Sequence, residues 1–131
     1  MNEQRPQLID DVMTIGVPVS DQDRALAFYL DKLGFEKRRD FPAQQVGGRW
    51  VEVAPASAMV TIALVQAREG APVGVETGIR LTTRDAGAVH EELQARGVEV
   101  GELLRWPGVP PMFNLRDQDG NGLTIIQSGI G

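Results

Sequence analysis

The sequence contains no cysteine and only one histidine among its 131 residues. The missing cysteines exclude disulfides and thiolate metal sites. Any Ser-His-Asp machinery would have to use His90, and a metal site rich in histidine cannot be built from one chain. His90 lies beside Glu91 in a predicted helix, so we expect it to be a surface residue without a catalytic role.

Long apolar runs and an excess of positive charge are also missing. No apolar stretch approaches the roughly 20 residues that span a bilayer, and the polar segment 1–7 lacks the apolar core of a secretory signal. The formal net charge of −5 argues against a nucleic-acid surface, because phosphates are bound by clustered lysine and arginine. We therefore expect a cytoplasmic protein that binds neither membranes nor nucleic acid.

The first half of the sequence shows a change of apolar period that is typical of mixed α and β structure. Alternating patterns predict strands over 12–19, 48–53 and 60–65. A helix is predicted after the first of these strands, with Ser20 or Asp21 as its N-cap and Gly34 at its end.

The second half repeats this order. It predicts a strand through Ile79 and Leu81, a helix over 86–93 capped by Thr82 or Thr83, and strands over 99–104, 112–115 and 123–127, with a turn over 117–122. Glycine and proline cluster between 66 and 74. We predict one domain, 1–131, built from two βαβββ modules at about 9–66 and about 75–128, with a linker at about 67–74.

Several short motifs stand in a specific order along the chain: Val19-Ser20-Asp21, the helix 24–29, Leu33-Gly34-Phe35, Glu92-Leu93 with Arg96-Gly97-Val98, and the turn 116–121. Together they resemble the vicinal-oxygen-chelate superfamily, which comprises glyoxalases, bleomycin-resistance proteins and extradiol dioxygenases, over about 9–127. The family's turn usually has proline where Gln118 stands. The resemblance implies an α+β fold in which the two modules form a cupped mixed β-sheet with helices on its outer face.

Enzymes of this superfamily usually hold one divalent metal through His, Glu or Gln on the first and last strands of each module. The resemblance carries these four ligand positions to Thr14, Ala63, Gly78 and Thr124. Such side chains lack the anionic or imidazole groups that a divalent ion requires. We therefore expect no bound metal and no other cofactor.

Alternation along the strands separates two faces. The first is apolar and should cover the helices: Ile15, Val17, Val51, Val53, Ile62, Leu64, Ile79, Leu81, Phe113, Leu115, Leu123 and Ile125. The second should line the cup: Thr14, Gly16, Trp50, Glu52, Thr61, Ala63, Gly78, Arg80, Met112, Asn114, Thr124 and Ile126. All of these except Gly16, Thr61 and Ile126 are the candidate ligand-binding residues. Trp106, in the irregular loop 105–111, is added as a candidate cover over the mouth of the cup.

Four of these residues have alternative interpretations. Trp50 either stacks on a planar or cationic ligand or fills a dimer interface. Glu52 and Arg80 either pair with each other or leave one of the two to contact a ligand. They are also the catalytic candidates, with Glu52 as base and Arg80 as electrostatic stabiliser. The loop that carries Trp106 either covers the cup or only connects two strands.

The sequence favours a metal-free protein, similar to bleomycin-resistance proteins, that binds a small aromatic or cationic molecule in the cup and forms a homodimer. Two other classes remain open. One is a non-catalytic accessory subunit, and the other is a lyase, isomerase or dioxygenase-like enzyme of the same superfamily. The segment 66–74 is long enough for the modules to pair within one chain or between two.

Overall fold

The first module begins with a strand and a helix whose ends are set by short polar and glycine signals. In the computed structural model, which describes residues 5–128, β1 spans Thr14–Val19 and α1 spans Gln22–Ala27. The Asp21 carboxylate accepts a hydrogen bond from the backbone N–H of Arg24 at 3.1 Å, so Asp21 is the N-cap. The helix continues as a π-helical turn, Phe28–Lys32, and Gly34 follows with a φ of 77°.

Three more strands complete the sheet of this module: β2 (Glu36–Ala43), β3 (Gly48–Ala54) and β4 (Thr61–Gln66), with a short 3₁₀ turn, Gln44–Val46, between the first two. The strand order is β1-β4-β3-β2, with β1 parallel to β4 and the other pairs antiparallel. Strand β2 was not predicted, because its charged side chains lie at a sheet edge and show no apolar alternation.

The second module repeats the same order of elements: β5 (Glu76–Thr83), α2 (Ala86–Ala95), β6 (Glu99–Val100), β7 (Met112–Arg116) and β8 (Gly122–Gln127). Its strand order, β5-β8-β7-β6, matches that of the first module, which confirms the predicted α+β fold. The predicted helix cap at Thr82 or Thr83 was wrong, because β5 extends through both residues and the Asp85 carboxylate caps α2.

The core lies between the apolar faces of the two sheets and the helices, in one continuous cluster. Of the residues that alternation assigned to the apolar face, all but Ile15 and Leu81 are buried members of this cluster. Ile15 is 38% exposed near the free end of β1. Leu81 is only partly buried and packs against the cluster from its edge. No helix within residues 5–128 combines the length and apolar character needed to cross a membrane.

Side chains of the turn between β7 and β8 form hydrogen bonds to the first module. The Asn121 amide nitrogen donates to the carbonyl oxygen of Pro18 at 2.9 Å, and its amide oxygen accepts from the backbone N–H of Gly74 at 2.9 Å. The Tyr29 hydroxyl donates to Asp117 Oδ2 at 2.8 Å. Burial raises the pKa of the Tyr29 hydroxyl well above its usual range, and the Asp117 charge raises it further.

Candidate functional site

A buried carboxylate lies on the cup-facing side of the first module. Glu52, in β3, is 1% exposed. Trp50 Nε1 donates to its Oε2 at 2.6 Å, and Thr61 Oγ1 donates to its Oε1 at 2.8 Å. Arg39 Nε is 3.7 Å from Oε1, and the Thr14 hydroxyl is 2.7 Å from that of Thr61. Both carboxylate oxygens therefore have partners, as a buried charge requires.

Arg80 is not among these partners, so the alternative in which Glu52 and Arg80 pair with each other is not the one seen in this chain. Arg80 is exposed on β5, and its Nη1 donates to the carbonyl oxygen of Gly78 at 3.0 Å. The nearest cation to Glu52 is Arg39, which stands directly opposite it in β2. Alternation assigned the correct type of face to both residues but carries no information on which strands are neighbours.

The cup-facing side of the second module is more open. Asn114 in β7 and Thr124 in β8 stand opposite each other, and the Thr124 hydroxyl donates to Asn114 Oδ1 at 2.8 Å. Gly78 has a φ of 75° and lies where the pairing of β5 with β8 shifts register. Glycine is suited to this irregularity, because a side chain disfavours positive φ.

A groove with a volume of about 640 Å³ runs between the two modules. It lies beside the start of β1, the connection from β3 to β4, and β5. Its lining is mostly apolar with a few polar groups, as in many small-molecule sites: Val12, Ile15, Pro55, Ser57, Ala58, Val60, Thr61, Ile62, Gly78, Ile79, Arg80, Leu81 and Thr82. Two of the predicted site residues, Gly78 and Arg80, are in this lining.

One side of the groove is held in shape by an arginine. Arg38 Nη2 donates to the carbonyl oxygens of Pro55, Ala56 and Ala58 at distances between 2.8 and 3.0 Å. Its Nε donates to Glu36 at 2.6 Å. A single guanidinium therefore orders the turn that contributes Pro55 and Ala58 to the lining.

The loop that carries Trp106 leaves its indole in solvent. Trp106 is 58% exposed and does not line the groove. The base of the loop is closed by paired backbone hydrogen bonds between Leu104 and Met112, at 2.8 and 3.2 Å. In the single chain, Trp106 is neither packed down as part of a connector nor placed over the groove.

The predicted site residues form two groups. Thr14, Trp50, Glu52 and Ala63 lie on the first sheet, whereas Gly78, Arg80, Met112, Asn114 and Thr124 lie on the second. Within residues 5–128, no hydrogen bond joins polar side chains of one group to those of the other. The predicted site residues are therefore divided between the two sheets.

The predicted set omitted three residues around Trp50 and Glu52. Thr61 and Arg39 contact Glu52, and Phe41 stands opposite Trp50 in β2. Parity in β4 placed Thr61 on the cup face, although it was not named as a ligand-binding candidate. The other two belong to the strand that was not predicted, and the alternation of Arg39 and Phe41 is the only signal that would have identified them.

The four positions where the superfamily's enzymes hold a metal do not fit one here. Thr14 and Thr124 offer only hydroxyls, which are already hydrogen-bonded to Thr61 and Asn114. Ala63 and Gly78 offer no donor atom in their side chains. Among residues 5–128, no three carboxylate or imidazole groups are clustered closely enough to hold an ion. This donor set cannot bind a divalent cation in the usual way.

Comparison with known proteins gives a consistent result. Residues 9–125 match the family model described as the Glyoxalase/Bleomycin resistance protein/Dioxygenase superfamily. The chain is 35% identical to the crystal structure of TnmS3, an antibiotic binding protein from Streptomyces sp. CB03234, with a TM-score of 0.83 and coverage of 95% of this chain and 100% of that one.

Two further relatives extend the comparison to other bacteria. A superfamily member from Sphaerobacter thermophilus DSM 20745 is 33% identical, with a TM-score of 0.83 and coverage of 93% of this chain and 100% of that one. The uncharacterized protein YetH of Bacillus subtilis (strain 168) is 28% identical over 118 residues, which is 87% of this chain and 95% of that protein.

Proposed function

The chain belongs to the glyoxalase/bleomycin resistance protein/dioxygenase superfamily, and we propose that it binds a small aromatic or cationic molecule without a metal. The observation that carries this proposal is the similarity, over nearly the full length of both chains, to an antibiotic binding protein. The cup-facing side chains support it, because the four metal positions hold only hydroxyls or no donor atom, while Trp50 adds an aromatic ring to the same face. Cytoplasmic location is part of the same proposal.

The chemistry of the ligand follows from the first module. Trp50 and Phe41 stand opposite each other on neighbouring strands and offer aromatic surface for stacking on a planar group. The net charge of −5 favours a cation over an anion at long range, although physiological salt weakens this attraction beyond about 8 Å. A planar ligand with a positive charge satisfies both conditions.

We propose that a second copy of the chain completes the site. Strands β1 and β5 are the end strands of their sheets, and end strands leave backbone hydrogen-bonding groups free for another chain. Apolar side chains around the start of β1 are also exposed: Val12, Met13, Ile15, Met59 and Val60. A homodimer that covers this patch would place the cup face of one module beside that of the other.

The binding proposal is tested by isothermal titration calorimetry with bleomycin, with ethidium as a planar cation and with naphthalene sulfonate as a planar anion. We expect saturable binding of bleomycin or ethidium, with at least tenfold weaker binding of the anion. Trp50→Ala should weaken binding at least tenfold, whereas Glu99→Ala, an exposed change on β6, should not. Absence of binding by all three probes would reject the proposal and favour the accessory-subunit alternative.

The dimer proposal is tested by mixing two inactive variants. Trp50→Ala damages the first module and Arg80→Ala the second, so neither homodimer should bind. If each site combines the first module of one chain with the second module of its partner, every heterodimer regains one intact site. Statistical exchange makes half of the dimers heterodimers, so binding should return to about a quarter of the wild-type capacity. Zero recovery, with exchange confirmed by mass spectrometry, would place both halves of the site in one chain.

A further inference from the structure

The indole of Trp50 is hydrogen-bonded to a carboxylate that is itself held by other side chains. Both residues lie on β3 two positions apart, so their side chains leave the strand on the same face. The bond from Trp50 Nε1 to Glu52 Oε2 is 2.6 Å long, which is short even for a charge-assisted hydrogen bond. Because the indole N–H is the ring's only polar group, this single bond uses all of its hydrogen-bonding capacity.

Glu52 is fixed from its other side. Thr61 Oγ1 donates to Oε1 at 2.8 Å, and the Arg39 guanidinium lies 3.7 Å from the same oxygen. The neighbouring position across the ladder is Ala63, a small residue with no exposed surface. A carboxylate held by two strands and 1% exposed has little freedom to change rotamer and little surface with which a ligand can make contact.

We propose that Glu52 is a positioning residue that locks the Trp50 ring in one orientation, and that it does not contact the ligand itself. This inference rests on the proposed function, in which Trp50 stacks on a planar group. Trp50 is only partly buried, so part of its side chain remains accessible to a ligand. A ring that is already fixed loses little conformational freedom when a ligand stacks on it, which strengthens binding.

The same geometry argues against Glu52 as a general base. A base has to reach the proton that it removes, directly or through one water molecule. The oxygens of Glu52 instead accept hydrogen bonds from Trp50 and Thr61, and the side chain is almost fully covered. Its negative charge serves to hold the indole N–H.

Ring mobility is measurable without any ligand. The chain has two tryptophans, so Trp106→Phe leaves Trp50 as the only fluorescent indole. Time-resolved anisotropy of this parent should decay only with the tumbling of the whole protein. Adding Glu52→Leu should introduce a sub-nanosecond component, because leucine accepts no hydrogen bond. Glu52→Gln should not, because its amide oxygen still accepts from the indole, and Glu99→Leu serves as the matched surface control.

Two results would overturn the inference. One is an unchanged anisotropy decay in a folded Glu52→Leu protein. The other is a sub-nanosecond component already present in the parent, which decides the question even if Glu52→Leu fails to fold. Neither result depends on ligand binding, so a failure of the inference is distinguishable from a failure of the proposed function.

Titration with ethidium then tests the consequence for binding. With Trp106 intact, Glu52→Leu should weaken ethidium at least tenfold, mainly through a faster dissociation rate, while Glu52→Gln should retain affinity within threefold. If ethidium binds the folded Glu52→Leu and wild-type proteins equally well, Glu52 does not position the ring for binding.

Discussion

Replacement of Asn121 by alanine should test how the two modules are held together. The side chain has no exposed surface. Its Oδ1 accepts from the backbone N–H groups of Gly74 and Val75, both at 2.9 Å. Its Nδ2 donates to the carbonyl oxygen of Pro18 at 2.9 Å and to Asp117 at 3.0 Å. One amide thus joins the first module, the linker and the last turn.

The expected cost follows from these four bonds. A hydrogen bond contributes about 1 kcal/mol net, and a buried polar group left without a partner costs about 1–3 kcal/mol. Water can reach some of the freed groups, since the bonds of Asn121 to Pro18, Gly74 and Val75 are only part-buried. We expect a loss of about 2–4 kcal/mol in the free energy of unfolding, or a fall in Tm of about 8–16 °C.

Urea unfolding followed by circular dichroism measures this loss as a shift of the midpoint at constant slope. The matched control is Asn114→Ala. Asn114 is exposed and makes one side-chain hydrogen bond, from Thr124, so its removal should cost at most about 0.5 kcal/mol. If Asn121→Ala loses less than about 1 kcal/mol, or no more than the control, the turn does not hold the modules together and the reasoning fails.

Three further predictions concern single groups. Burial and a nearby carboxylate raise the pKa of Tyr29, the only tyrosine. The contribution of the neutral Tyr29 hydroxyl to the free energy of unfolding is therefore complete below pH 10 and is lost above it, by up to about 1.4 kcal/mol per pH unit. Tyr29→Phe should flatten this decline, and absorbance at 295 nm should show tyrosinate only on unfolding. Hydrogen bonds from Arg49 hold the pKa of Asp40 below its usual range, so Asp40→Asn should lower the free energy of unfolding by about 1 kcal/mol at pH 7. In acid unfolding, the difference between the variant and the wild type should shrink progressively below pH 4. Gly78→Ala should lower the free energy of unfolding in urea by about 1–2 kcal/mol, because the φ of Gly78 is 75°. The control Gly16→Ala should be nearly neutral, since its added Cβ meets only Val65 at 3.5 Å. Equal losses in the two variants would contradict the argument from backbone conformation.

The sequence was sufficient to predict the two-module fold because the fold depends on patterns that repeat. In β3, for example, Val51 and Val53 enter the core while Trp50 and Glu52 leave it, as strict alternation requires. The same rule held in β4, β7 and β8. Where two modules share one order of elements, each supports the assignment of the other.

The errors have identifiable physical causes. Strand β2 carries a run of charged residues and contributes none of its residues to the core cluster, so its edge position removed the apolar signal on which the prediction relied. The cap of α2 was placed too early because threonine both caps helices and favours strands. Ile15 has the parity of a core residue, but β1 passes beyond the end of the core there.

The candidate site was harder to predict than the fold because it depends on which strand edges meet. Which face of a strand a side chain lies on follows from its position in the local sequence. Which strand edges pair with each other depends on backbone hydrogen-bonding groups, and every sequence supplies these. Strands β1 and β5 lie in separate sheets, so the two proposed cup faces would be joined either by a rearrangement of the chain or by a second copy. A rearrangement would break the bonds from Asn121 to Pro18 and from Tyr29 to Asp117, whereas a second copy leaves them intact. These bonds support the proposed association of two chains over a rearrangement of one chain.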